Sequence, residues 1–310
     1  MGATLPENSG EIMADKLIIE VRANEYADRS GNPNVPWTAD EIARDGGECR
    51  QAGASILHFH ARNPDGSPDH SFESTRDAIL AARANSDMLI LPTLGYVTLD
   101  APVEERIANV VRLAEDPRTK PEFAPIDMGS TNVDLYDPVK KEFSSKGLIY
   151  RNGVDTLEHL ARTITGLGIT PYLTSWNISF SRTIGAFLDM GLLREPAFIG
   201  LVMTSDVMLS GHPATPEGLD AHTRFLPAGR KIAWSAMSYN GNILDLADKI
   251  ILEGGHFSIG LGDWPHTERG RPRNADLVHI VAERARALGR EVATPEEARG
   301  ILGVTVRPPR

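Results

Sequence analysis

Two histidines one residue apart, in His58-Phe59-His60-Ala61-Arg62, are the side chains best suited to carry chemistry in this chain. They close the apolar run Ala54-Ser55-Ile56-Leu57, which predicts a buried strand, and precede the turn Asn63-Pro64-Asp65-Gly66. Alternate side chains of a strand share a face, so His58, His60 and Arg62 project together while Phe59 and Ala61 point away. Two imidazoles on one strand face, at its C-terminal end, can hold a metal ion from a rigid base. A bare His-x-His is common, and two unrelated histidines, one a hydrogen-bonded core group, are the plainer alternative.

The surrounding pattern decides how such a strand is placed. Lys16 to Ala23 predicts a first strand whose charged residues, Glu20 and Arg22, fall on one face. Inside a sheet such a pair is costly unless it is paired or used. A loop rich in Asn, Pro and Gly follows from Asn24 to Trp37. Thr38-Ala39-Asp40-Glu41 is then a capping box that opens a helix to about Gln51, before the His-x-His strand. Strands are expected again at Met88–Thr93, Phe123–Met128, Ile169–Ser175, Phe198–Met203, Lys231–Ala236 and His256–Leu261, with amphipathic helices between. Thr294-Pro295-Glu296-Glu297 caps a last short helix. Eight strands, each followed by a helix and undivided by any linker, predict one (β/α)8 TIM barrel over 16–310. Residues 1–15 read as a flexible polar tail. A doubly wound sheet is the alternative, but no G-x-G-x-x-G follows the first strand.

With 310 residues, 41% hydrophobic and 24% charged, the chain has the composition of a soluble globular protein. Its net charge of -10 argues against nucleic acid or an anionic membrane as partner. A single cysteine, Cys49, excludes an internal disulfide and suits a cytoplasmic location. No segment has the roughly 18 consecutive apolar residues of a membrane span.

Barrel active sites lie at the C-terminal strand ends. The polar residues expected there include Glu25 after the first strand and Thr93 after the third. Asp127 and Ser130 follow the fourth, Thr174 the fifth, and Ser258 and Asp263 belong to the eighth. A cap or a pairing partner is the alternative role for Asp127, and a turn residue that for Ser130. Asp263, a carboxylate directly after a glycine-flanked strand, is suited to be a general base.

These residues together resemble the β-keto acid cleavage enzymes. The resemblance rests on the His58-x-His60-x-Arg62 strand and turn, the preceding Ala52-Gly53-Ala54, and Asn34-x-Pro36-x-Thr38. It extends to Gly254-Gly255-His256 running into Gly260-Leu261-x-Asp263, and to the ending Gly289-Arg290-x-x-Ala293-Thr294-Pro295-Glu296-x-Ala298-Arg299. It implies a TIM barrel with a divalent metal, usually zinc, that condenses a β-keto acid with acetyl-CoA to give acetoacetate and a new CoA thioester. Carried over, His58 and His60 are metal ligands and Asp263 is the general base. Ser130 falls where the family has a residue touching the reacting groups, and Glu25 is within one position of a family glutamate. A homotetramer is also implied.

The chain departs from this pattern on the eighth strand, where the family's metal-binding glutamate is Gly262 and its substrate-clamping arginine is Ser258. The first and eighth strands of a closed barrel are neighbours. We therefore expect the missing groups on the first strand, Glu20 as a metal ligand and Arg22 as the clamp on the substrate carboxylate, with a structural ion pair as the alternative. Arg62 is a second candidate clamp, and Ser130 or Thr93 a donor to the developing oxyanion. Arg269, Arg271 and Arg273, after the eighth strand, are expected to meet the CoA phosphates; a solvated basic turn is the alternative. Two other functions remain open at this level: a metal-dependent hydrolase or aldolase, and a non-catalytic ligand-binding barrel.

Overall fold

A computed structural model describes residues 15–94 and 101–309. All but the last residue of the expected tail, 1–15, lie outside these. The barrel strands are β1 Ile19–Arg22, β2 Ile56–Phe59, β3 Leu89–Pro92, β4 Phe123–Asp127, β5 Thr170–Ser175, β6 Ala197–Thr204, β7 Ile232–Tyr239 and β8 His256–Ile259. The helices after them are α1 Ala39–Ala52, α2 Phe72–Asn85, α3 Val103–Leu113, α4 Val154–Gly166, α5 Ile178–Asp189, α6 Pro216–Arg224, α7 Ala247–Leu252 and α8 Asn274–Ala287, with α9 Pro295–Ile301 closing the chain. The expected (β/α)8 barrel is what forms. Its strands are buried on both faces, which is why several read as nearly continuous apolar runs.

The ladders are parallel and run β3-β2-β1-β8-β7-β6-β5-β4, so β1 does lie between β2 and β8. No ladder joins β3 to β4 among the described residues, and the sequence explains why. On β3, Leu89 and Thr93 donate to β2, which turns Ile90 and Pro92 toward β4. On β4, Met128 donates to β5, which turns Pro125 toward β3. Each strand thus presents a proline, which has no N–H, to the seam. Ile90 N–H is taken instead by the buried Glu122 carboxylate (2.9 Å), which also holds Arg83 (3.0 Å) and Arg299 (3.3 Å).

Most helix bounds agree with the periodicity, and Thr38 and Glu41 form the capping box. The helix expected between the seventh and eighth strands opens with a tight 3-10 turn, Leu244–Leu246, where the Asn242 side chain accepts the Leu244 N–H (3.0 Å). The segment after β4 also holds two short antiparallel pairs that no periodicity announced. Thr131–Asn132 pairs with Ile149–Tyr150, and Tyr136–Asp137 with Glu142–Phe143. This segment is pinned to the loop after β6 by Tyr136 N–H to Val207 O (2.7 Å) and Leu209 N–H to Asp134 O (2.9 Å). No helix is long and apolar enough to cross a membrane among the described residues.

Candidate active site

The β1–β2 register puts Arg22 beside His58, at the C-terminal end of both strands. His58 Nδ1 lies 2.8 Å from Leu91 O. A carbonyl only accepts, so Nδ1 carries the proton and a neutral His58 offers its Nε2 lone pair to the site. Nε2 of His58 is 2.8 Å from Glu25 Oε1, and Nε2 of His60 is 2.6 Å from Glu25 Oε2. One ligand atom from each of these buried residues falls within 4.8 Å of the other two.

Glu25 reaches this position through a bend in the chain. Its φ is +33°, outside the range ordinary side chains prefer, so neighbouring contacts must hold it. Arg62 supplies them. Its Nη2 donates to the carbonyls of Asn24 (2.7 Å) and Glu25, and its Nη1 to Ala27 O (3.0 Å) and Gly66 O (2.9 Å). Asn24 ties the same bend to β2, accepting from His60 N–H (2.8 Å) and donating to His60 O (2.9 Å).

Arg22 is the hub of the charges. Its Nε meets both Asp263 oxygens (3.0 and 2.9 Å), Nη1 meets Glu20 Oε1 (3.2 Å), and Nη2 meets Glu25 Oε1 (2.9 Å). Below it, Ser258 Oγ donates to Glu20 Oε2 (2.7 Å) and lies 3.3 Å from Ser235 Oγ, itself 3.4 Å from the Tyr172 hydroxyl. Burial pushes the Asp263 carboxyl up to about 7, with Glu25 and Glu20 adding to it and Arg22 opposing. Burial acts the same way on Glu25, but Arg22, His58 and His60 outweigh it and hold Glu25 well below the usual carboxylate range.

The donor set fits a divalent cation. Two neutral imidazoles and a carboxylate are a zinc-type set. Glu25 Oε1 is buried without a hydrogen bond despite its close neighbours, as is Asp263 Oδ2. Three buried carboxylates face one guanidinium, and an unbalanced charge of that kind is costly away from water. A 2+ ion would balance it.

The two histidines, Glu25 and Arg22 form the inner end of a cavity of about 310 Å³. Its outer walls come from β4 to β7 and from the segment after β4, with Tyr150, Trp176, Tyr239, Leu135 and Leu148 prominent.

A family model for β-keto acid cleavage enzymes matches residues 16–304. The chain belongs to this family. A 3-keto-5-aminohexanoate cleavage enzyme of Acetoanaerobium sticklandii is 30% identical, the match covering 94% of this chain and 99% of that one. A 3,5-dioxohexanoate:acetyl-CoA acetone transferase of Paraburkholderia graminis is 27% identical, over 88% of this chain and 90% of the relative. Among solved structures, a ternary complex of ObcA with a C4-CoA adduct and oxalate superposes with a TM-score of 0.66 at 14% identity, covering 87% of this chain and 68% of that one. That likeness speaks to the fold.

In this β-keto acid cleavage enzyme the structure gathers His58, His60, Glu25, Arg22, Glu20 and Asp263 into one buried cluster, and redistributes the parts expected of them. Glu20, expected as the third ligand, is not in the ligand group. It pairs in register with Ile56, two residues below His58, and one strand repeat of roughly 6.6 Å puts its carboxylate deeper in the barrel. Glu25, beyond the strand end, folds back to the histidines instead. Asp263 contacts Arg22 but is not part of the cavity wall.

Arg62 spends its Nη atoms on four backbone carbonyls and is not placed as a substrate clamp. Ser130 Oγ accepts Asn152 N–H (2.8 Å), which gives it a turn role. Thr93 does line the cavity. The three arginines after β8 do not. Arg273 pairs with Glu48 (2.8 Å) and Asp276 (3.3 Å), Arg269 borders a separate surface hollow with Asp245 and Asp248, and Arg271 holds Asn34 through its carbonyl (2.9 Å).

Sequence reasoning missed Tyr150 and Tyr239. A tyrosine at a strand end reads the same whether it faces a cavity or the core. Trp176 borders the cavity, whereas Trp264 donates to Glu268 (3.3 Å).

Proposed function

We propose that this enzyme exchanges the acyl part of a β-keto acid with acetyl-CoA, releasing acetoacetate and a new CoA thioester, with a zinc ion held by His58, His60 and Glu25. The observation that carries the proposal is the convergence of those three ligand atoms at the inner end of the cavity, in a chain of this family. When bound, such a metal supplies Lewis-acid polarisation of the substrate carbonyl.

The chain's own residues account for the remaining steps. Arg22 is the nearest cation to the ligand group and takes the substrate carboxylate, a natural partner for a planar guanidinium. As it turns toward that carboxylate it releases Asp263, whose pKa near 7 suits a general base. Asp263 takes a proton from the methylene between carboxylate and keto group. The carbanion attacks the acetyl carbonyl and CoA thiolate leaves. The thiolate then adds to the original keto carbon, the bond from that carbon to the former methylene breaks, and Asp263 returns its proton to the acetoacetate carbanion. Thr93, on the cavity wall, donates to the oxyanion. CoA's phosphates lie outside the cavity, toward the turn of Arg269, Arg271 and Arg273 on the same end of the barrel. The protein is proposed to work in the cytoplasm as a homotetramer.

The test is acetoacetate formation from purified protein and a panel of β-keto acids. The proposal expects absolute dependence on acetyl-CoA, loss with a chelator, and recovery with zinc. Turnover that continues without any acyl-CoA would instead identify a metal-dependent hydrolase or aldolase.

A further inference from the structure

We infer that the substituent on the keto carbon of this enzyme's substrate is uncharged and apolar. The inference rests on the proposed reaction and names the class of acid it uses.

The cavity has two chemically distinct ends. Arg22 is the sole cation among the described residues that line it, and it stands at the inner end with the histidines and Glu25. Beyond them the wall is made of side chains such as Val133, Leu135, Leu148, Val202 and Met208. Val133, Leu135, Leu148 and Tyr150 come from the segment after β4, which covers the barrel mouth.

One carboxylate, Asp127, faces this outer part, and it is the group that an ammonium substituent would seek. It is already used. Asp127 Oδ1 accepts from Trp176 Nε1 (2.6 Å) and from Thr174 Oγ1, and Oδ2 accepts from the Tyr150 hydroxyl (2.8 Å). A cationic substituent would have to break these bonds, leaving buried donors unpaired. An anionic substituent would meet no cation among the described outer-wall residues, whose polar groups are the Asp127 carboxylate, the Asn240 amide and hydroxyls such as that of Tyr239, set among methyl, thioether and aromatic surface. An alkyl or aryl group, by contrast, gains from every contact with such a wall. Asp127 is thus a positioning residue that sets the aromatic wall.

The test compares 3-oxo-5-methylhexanoate, 3-oxo-5-aminohexanoate and 3-oxoadipate on the full-length protein loaded with zinc and given acetyl-CoA. The branched acid is expected to lead in kcat/KM by about 100-fold over each charged acid, the scale set by burying an unpaired charge. Leu148→Asp, on the covering segment, is expected to shift the ratio toward the amino acid by about tenfold, because it places an unengaged carboxylate at the wall. Equal or higher kcat/KM for either charged acid would overturn the inference.

If no acid is turned over, the proposed reaction fails, and calorimetric binding of the same three acids tests the wall by itself. Tighter binding of the branched acid would then support the apolar assignment. Equal or weaker binding would overturn it.

Discussion

Gly262 and Glu25 share one volume: a Cβ added at Gly262 would sit 2.5 Å from Glu25 Cγ and 2.8 Å from Glu25 N. Position 262, just past β8, can therefore carry no side chain while the loop after the first strand delivers its carboxylate to His58 and His60. The absent eighth-strand glutamate and the inward bend of Glu25 are two aspects of one arrangement.

Gly262→Ala should accordingly displace Glu25, since the clash involves backbone as well as a flexible side chain. We expect zinc affinity to fall by about 10- to 100-fold, the range for disturbing the support of a metal ligand. Competition with a chromophoric chelator measures it. Unchanged affinity would show that the Glu25 carboxylate is not a ligand.

Metal content separates the two first-strand glutamates. Purified protein should hold about one zinc per chain, as one group of three ligand atoms predicts. Glu25→Ala and His58→Ala should lose it, while Glu20→Ala should retain it, because Glu20 is bound to Arg22 and Ser258. Elemental analysis of the three variants decides the point; loss in Glu20→Ala with retention in Glu25→Ala would reverse the assignment.

At the β3–β4 seam, Glu122→Ala removes the partner of Arg83, Arg299 and Ile90 N–H together. Leaving buried charge uncompensated costs about 3–5 kcal/mol. At roughly 2 °C per kcal/mol, the low end of the scale and suited to a large chain, Tm should fall by ~8 °C in a thermal melt. A change of a degree or less would show that the seam holds without this carboxylate.

Asp45 gives a pH-dependent prediction. It accepts Asn274 Nδ2–H (2.9 Å), and Asn274 in turn bridges Ala23 O and Leu261 N–H, next to the site. Burial pushes the Asp45 carboxyl up to about 7. Its folded-state pKa thus exceeds the unfolded value of about 3.9, so the stability it contributes is complete below that value and is lost as pH rises toward 7. Asp45→Asn keeps the hydrogen bond and removes this loss. Its Tm advantage should grow between pH 5 and pH 8. Asp45 also borders a polar surface hollow, so solvent screening keeps the gain to about 1 kcal/mol or ~2 °C.

Much of this molecule was legible in the chain. The alternation of apolar strand runs with capped helices specified the barrel, because each period is a local property of consecutive residues. His58 and His60 were legible for the same reason: one residue of separation on a strand fixes a shared face whatever surrounds it. The neighbouring of β1 and β8 followed from closure, whereas the meeting of Arg22 with Asp263 is seen only in the structure. Which glutamate joins the histidines was decided elsewhere. That depends on Arg62 and Asn24 bending the chain at Glu25, on Gly262 leaving the space, and on the depth of Glu20 in the barrel. The outer wall, with Asp127 engaged by Trp176 and Tyr150, depends likewise on a covering segment with no period of its own. Local sequence determines which faces exist, whereas contacts between residues far apart in the chain determine which side chains share a volume, and only tertiary structure holds that information.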